Sequence, residues 1–199
     1  MGLSELFNMK FKNNLCTVCI SVKDSFSFDD PQNKRYDVIL DPLNYSNEDY
    51  IKVFEINVYL FNKQKKLALI SRWGEPTDDI AALDGSILTL LQNNAFLQID
   101  VMKGRVINVK PTDIFGCVFS LNKFGDDYIV YGEMEIARFD SKLNKLWSFS
   151  GIDIFFSPTG KTAFEMTKDT IKLYDFNDTF YEIDYNGKEI RLLFSSNEQ

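Results

Sequence analysis

The sequence predicts an all-β fold built from antiparallel meanders. Three observations carry this. Short runs of aromatic and β-branched residues recur between turn residues. The runs repeat at a near-fixed spacing. No helical pattern extends beyond a turn or two, and the most helix-like stretch, Ile87 to Leu91, reads equally well as a strand.

Asp127 to Ser150 shows the unit most clearly. Tyr128 to Tyr131 is a strand run, punctuated by Gly132. Glu135 to Phe139 is a second run. Asp140 to Asn144 is a turn, where Asp bonds its own backbone and Asn tolerates a left-handed conformation. Lys145 to Phe149 is a third run and carries Trp147. Without a gap, Phe96 to Ile107 matches Ile136 to Trp147, and Ile171 to Asp175, running on to Phe180-Tyr181, follows the same pattern. A weaker copy starts at Val58. The turn anchors are Asn62, Asp100, Asp140 and Asp175, a period of about 40 residues, or about four strands per unit. A further hairpin turns at Ile183 to Gly187.

Ile136-Ala137-Arg138-Phe139-Asp140 followed by Asn144-Lys145-Leu146-Trp147 resembles the blade repeat of pyrroloquinoline-quinone-type β-propellers. The resemblance covers about Val58 to Phe194. One copy has the tryptophan, and Gly104 alone holds the turn-glycine position. It implies a blade-like array, a small or incomplete propeller, and for Trp147 a place between packed sheets. It is a resemblance of blade and not of function. The alternative architecture is a β-sandwich. Two or three blades cannot close a ring, because each open strand edge must be covered. A four-bladed ring requires the first half to supply a blade.

The earlier part of the chain reads differently. Leu15 to Val22 is a buried strand, Lys23 to Lys34 is polar, and Tyr36 to Leu40 is a short strand. Asp41 to Asn47 is a loop, and Ser46 to Asp49 caps one helical turn. Ile51 to Phe61 alternates, with Val53, Glu55 and Asn57 set against Phe54, Ile56 and Val58, so one face is expected to meet water. The charged turn Lys63 to Lys66 leads into Leu67 to Ser71, and Arg72 to Asp79 is loop-like. The expected organisation is a sheet layer over 1–73 and blade-like meanders over 74–199, or one continuous domain.

Composition narrows function. The formal charge is −7, which disfavours nucleic-acid and membrane-surface binding and suits a basic protein partner. No secretory signal, membrane span or myristoylation pattern is read from the sequence. Cys16, Cys19 and Cys117 fit a reducing cytoplasm better than a disulfide framework.

The chain has no histidine, which excludes His-based triads and His metal ligands. Cys16 and Cys19 have C-x-x-C spacing, but on a strand residues three apart face opposite ways and no second pair exists, so buried thiols are expected. The acid pairs Asp78 with Asp79, Asp126 with Asp127, and Glu133 with Glu135 read as solvated faces or turns. Thr159-Gly160-Lys161 lacks the glycine spacing of a phosphate loop and reads as a hairpin turn. Asp113 to Gly116, and Phe155-Phe156 beside Asp153, read as strand entries.

These observations lead to a non-enzymatic, cytoplasmic, macromolecule-binding domain without cofactor or metal. A bacterial toxin-immunity-type protein is one version. Rim charge steers a basic protein, and Trp73, Glu75, Asp78 and Asp79 are the expected contact residues. The alternative is a carbohydrate-binding or glycoside-hydrolysing domain that uses paired acids and an exposed tryptophan. A structural module in an assembly of identical chains is a third possibility.

Overall fold

The computed structural model describes residues 9–23, 26–47, 51–72, 78–92 and 94–194. Its strands form four sheets. Helical structure among these residues is confined to three short 3-10 segments, Pro31–Arg35, Tyr45–Asn47 and Asp78–Ile80. The first sheet contains β1 (Met9–Lys12), β2 (Thr17–Lys23), β3 (Val38–Leu40), β4 (Lys52–Leu60) and β5 (Lys63–Ser71), in the order β1-β2-β4-β5-β3. The second is the meander β6 (Ala81–Asp84), β7 (Ile87–Gln92), β8 (Ala95–Asp100) and β9 (Arg105–Pro111). The third contains β10 (Val118–Phe124), β11 (Asp127–Gly132), β12 (Glu135–Phe139) and β13 (Lys145–Ser150). The fourth contains β14 (Phe164–Met166), β15 (Thr170–Tyr174), β16 (Phe180–Asp184) and β17 (Glu189–Leu193). The last three have the up-and-down antiparallel order of propeller blades. The first departs from it, because β3 pairs with β5 in parallel.

The chain forms two compact units, Met1–Pro111 and Thr112–Gln199. The boundary expected after Trp73 falls outside the described residues. In the first unit, Val18, Ile20, Phe54, Ile56, Leu67 and Leu69 from the first sheet share one core with Leu88, Leu90, Leu97 and Ile99 from the second. These are alternate residues of their strands, so each sheet gives one face to that core.

The other face of β4 does not meet water as the alternation suggested. Val53, Glu55 and Asn57 are all buried. Phe26, Tyr36, Tyr45 and Ile51, from the segments on either side of β3, pack with Val53, Ala68 and Ile70 there. Polar residues at alternate positions imitated a wet face, although a long excursion of chain covers it.

In the second unit, Ile129 and Ile136 from the third sheet share a core with Ile171, Leu173, Tyr181 and Ile183 from the fourth, closed by Phe155. Trp147 lies at its margin. Its Nε1 donates to the Tyr185 carbonyl at 3.0 Å, and Arg138 Nη1 donates to the same oxygen at 2.7 Å. Tyr185 also stacks on Phe124, with ring centroids 3.9 Å apart. Trp147 therefore packs between sheets, as the blade resemblance implied.

The repeat is real, but its last anchor moves. Asp100 and Asp140 sit between the third and fourth strands of their sheets, and the residue there in the fourth sheet is Asp184. Asp175 lies one turn earlier, between β15 and β16. The turns after Asp100, Asp140 and Asp184 each contain a residue of positive φ: Gly104, Leu143 and Gly187. Each is followed by a one-residue register shift in the fourth strand. The residue skipped is Ile107, Leu146 or Ile190, and all three are exposed.

Candidate functional site: the loop end of the second unit

In the third sheet, β10 begins, β11 ends, β12 begins and β13 ends at one edge of the meander. The segments 112–117, 133–134 and 151–157 meet there. The Glu133 amide donates to the Cys117 carbonyl at 2.8 Å, and the Phe155 amide donates to the Glu133 carbonyl at 2.7 Å. The segment 175–179 joins them, because the Phe176 amide donates to the Ile154 carbonyl at 2.8 Å. Asn177 Nδ2 donates to Asp153 Oδ2 at 3.0 Å.

These turns hold their shape through side-chain acceptors. Asp175 is fully buried, and its Oδ1 accepts from the amides of Asn177 and Thr179. Its Oδ2 accepts from the Tyr181 hydroxyl at 2.7 Å. Burial, together with this carboxylate, pushes the Tyr181 hydroxyl up to about 12. Asp178 accepts from Ser157 and Thr159 and faces Lys161 at 3.4 Å. The Thr159 hydroxyl leads the interactions that hold its carboxyl below the usual range.

On this frame stand apolar side chains turned to solvent: Phe115 (74% exposed), Ile152 (67%), Phe156 (54%) and Phe176 (47%). The rings of Phe156 and Phe176 stack, with centroids 6.3 Å apart. Phe155, next in sequence, is fully buried, so the Phe155-Phe156 pair divides between core and surface. Phe115 precedes Gly116, where an added Cβ would lie 3.0 Å from Met134 Cγ. Asp113, Glu133 and Asp153 belong to these four segments, which contain no Lys or Arg of their own. Lys145 reaches in from β13 and donates to the Asp113 carbonyl. The segments expected to be strand entries are therefore loops that present aromatic rings. An aromatic next to Gly116 in one, and two residues before Pro158 in the other, was the available signal.

Four contact residues are expected from the sequence. Trp73 and Glu75 lie outside the described residues. Asp78 opens a 3-10 turn, and Asp79, in the same turn, is exposed. Of the acid pairs of the carbohydrate alternative, Asp127, Glu133 and Glu135 are engaged locally. Asp127 pairs with Arg138 at 2.6 Å, and Glu135 pairs with Lys145 at 3.1 Å. Glu133 Oε2 accepts from the Cys117 amide at 3.4 Å. Thr159-Gly160-Lys161 lies in the connection between the third and fourth sheets rather than in a hairpin. Cys16 and Cys19 are buried free thiols, and burial raises both. Among the described residues no three His, Cys, Asp or Glu converge as metal ligands, and no helix is long and apolar enough to cross a membrane.

No family model and no curated protein matches the chain. Solved structures similar to it, all of low identity, include the following three. BamB from Moraxella catarrhalis is 12% identical, with 73% of this chain and 47% of that one covered and a TM-score of 0.45. For Hsv2p from Kluyveromyces lactis the values are 12%, 67%, 42% and 0.40. For HIRA (residues 644–1017) they are 9%, 98%, 54% and 0.49. The chain thus spans about half the length of these structures.

Proposed function

We propose that the chain is a non-enzymatic protein-binding module whose contact face is the loop end of the second unit. The observation that supports this is the exposure of Phe115, Ile152, Phe156 and Phe176 on a well-braced frame. Aromatic anchors inside a polar rim are the features that dominate protein interfaces. The rim acids Asp113, Glu133 and Asp153 favour a basic partner, which charge attraction would steer onto the rings. Free thiols at Cys16 and Cys19 suit a reducing compartment such as the cytoplasm. The finer reading, a bacterial toxin-immunity-type protein, rests on acidity and predicts that the basic partner co-purifies.

The test is affinity capture with the wild-type chain and with a Phe156→Asp, Phe176→Asp double variant, at low and moderate salt. The expected result is a basic protein retained by wild type, weakened by salt and lost from the variant. Equal capture by a folded variant would remove this face from the interaction.

A further inference from the structure

The fourth sheet uses its two faces differently. Ile171, Leu173, Tyr181 and Ile183 fill the core of the second unit. Thr170, Lys172, Tyr174, Phe180, Glu182 and Asp184 alternate with them on β15 and β16 and project from the other side. None of these six is buried. In the third sheet, by contrast, the side away from Ile129 and Ile136 is closed too, and Tyr128, Val130, Ala137 and Phe139 are all buried there.

Two rows of side chains cross this open face. Register sets Glu165 opposite Lys172, Lys172 opposite Glu182, and Glu182 opposite Arg191. Directly opposed residues share a face, so one row runs acid, base, acid, base across all four strands. The next row sets Tyr174 opposite Phe180 and Phe180 opposite Leu193. The Tyr174 amide donates to the Ala163 carbonyl at 3.0 Å, which places Ala163 at the β14 end of that row. The Tyr174 and Phe180 ring centroids are 5.1 Å apart, and Leu193 is 45% exposed. Lys161 reaches the margin, with Nζ 4.9 Å from the Tyr174 ring centroid.

An antiparallel sheet can turn one face to water, and a charged row suits that role. The apolar row beside it does not. The charges are also held loosely. Lys172 Nζ lies 3.9 Å from Glu165, and the two side chains keep 38% and 57% of their surface exposed, so both turn readily towards a new neighbour. Glu182 accepts from the Thr170 hydroxyl at 2.8 Å, which fixes its carboxylate on this face.

We infer that this face packs against the same face of a second copy of the chain. The order of the charges identifies the occupant. A two-fold axis between the two sheets, running along the strands midway between β15 and β16, sets β14 over β17 of the second copy and β15 over its β16. Glu165 then meets Arg191 of the second copy, and Lys172 meets its Glu182. The symmetry repeats both contacts, so every charge in the row faces its opposite. In the same arrangement Tyr174 meets Phe180, and the small Ala163 meets Leu193. The row carries two acids and two bases, so it selects neither a basic nor an acidic partner. The strands are only three to five residues long, so the dimer is a reversible one. This surface is separate from the exposed rings of the loop end.

The test is sedimentation equilibrium of the full chain from micromolar to millimolar concentration, at low and moderate salt. Lys172→Glu and Glu182→Lys are studied singly and as an equimolar mixture, and melting curves check that each is folded. The expected result for wild type is a dimer that salt weakens. Each single reversal places two pairs of like charges across the two-fold and should weaken the dimer by about tenfold or more. In the mixture every contact of the row is again between opposite charges, so the dimer should return. Phe156→Asp should leave it unchanged, which separates this result from the capture experiment on the loop end. A wild-type chain that stays monomeric throughout overturns the inference. So do undiminished dimers of both folded single variants, or a mixture of them that remains monomeric.

Discussion

Trp147 lies so close over Gly187 that no other residue fits the turn: an added Cβ would sit 2.7 Å from Trp147 Cδ2. Gly187 also has φ +79, a conformation that side-chain-bearing residues rarely adopt. Gly187→Ala should cost about 2–4 kcal/mol, combining overpacking with backbone strain. Gly125→Ala isolates the strain, since Gly125 has φ +58 and a Cβ added there would meet no atom within 4 Å. It should cost only about 1 kcal/mol. Urea denaturation of both variants checks the difference.

Glu55 is held by one hydroxyl and three cations. Tyr36 donates to it, and Arg35, Lys66 and Lys23 surround it. Glu55→Gln leaves those cations without their acid. The expected loss is about 2–3 kcal/mol, below that of a fully buried pair because the cations reach solvent. Tyr36→Phe removes one hydrogen bond and should cost about 1–2 kcal/mol. Chemical denaturation of the two variants ranks them.

The pH profile of stability should fall at both ends. Burial alone would raise the Glu55 carboxyl, but Tyr36, Lys66 and Arg35 together hold it below its ordinary value. Its contribution is present above the unfolded carboxylate range and is lost as pH falls through the lower folded value. Burial pushes the hydroxyls of Tyr36, Tyr131 and Tyr181 up to about 12. Their contribution is complete below the ordinary tyrosine value, about 10, and disappears as pH climbs towards 12. Melting temperature followed across pH should show both limbs, and Tyr36→Phe should make the alkaline limb shallower.

Asp140 closes its turn by accepting from the amides of Lys142 and Asn144 and from the Asn144 side chain. Asp140→Ala should destabilise the chain by about 1–2 kcal/mol. Asp140→Asn, which keeps one acceptor oxygen, should recover part of the loss. Thermal denaturation of the pair provides the measurement.

The same turn chemistry explains how far the fold was legible. Asp100 and Asp140 mark equivalent turns, and their spacing revealed the repeat. Asp175 and Asp184 are capped alike, each Oδ1 accepting two backbone amides. A local sequence signal therefore could not tell the second turn of the last sheet from its third. The inter-sheet place of Trp147 was legible through the resemblance to a blade repeat, which implied it. The buried setting of Glu55 was not legible, since its cover comes from residues such as Phe26 and Tyr45, outside its own strand. The rings of Phe115 and Phe156 were misread for a related reason. Aromatic residues signal strands, and only the tertiary arrangement of the flanking turns brings these into loops.

The register shifts at Ile107, Leu146 and Ile190 also bear on how the sheets resist aggregation. A strand docking on β9, β13 or β17 would meet a ladder whose side-chain alternation changes partway along. A stranger in register with one half would turn the wrong side chains inward along the other. The blades thus end in edges that spoil templating by geometry, with no need for a capping helix.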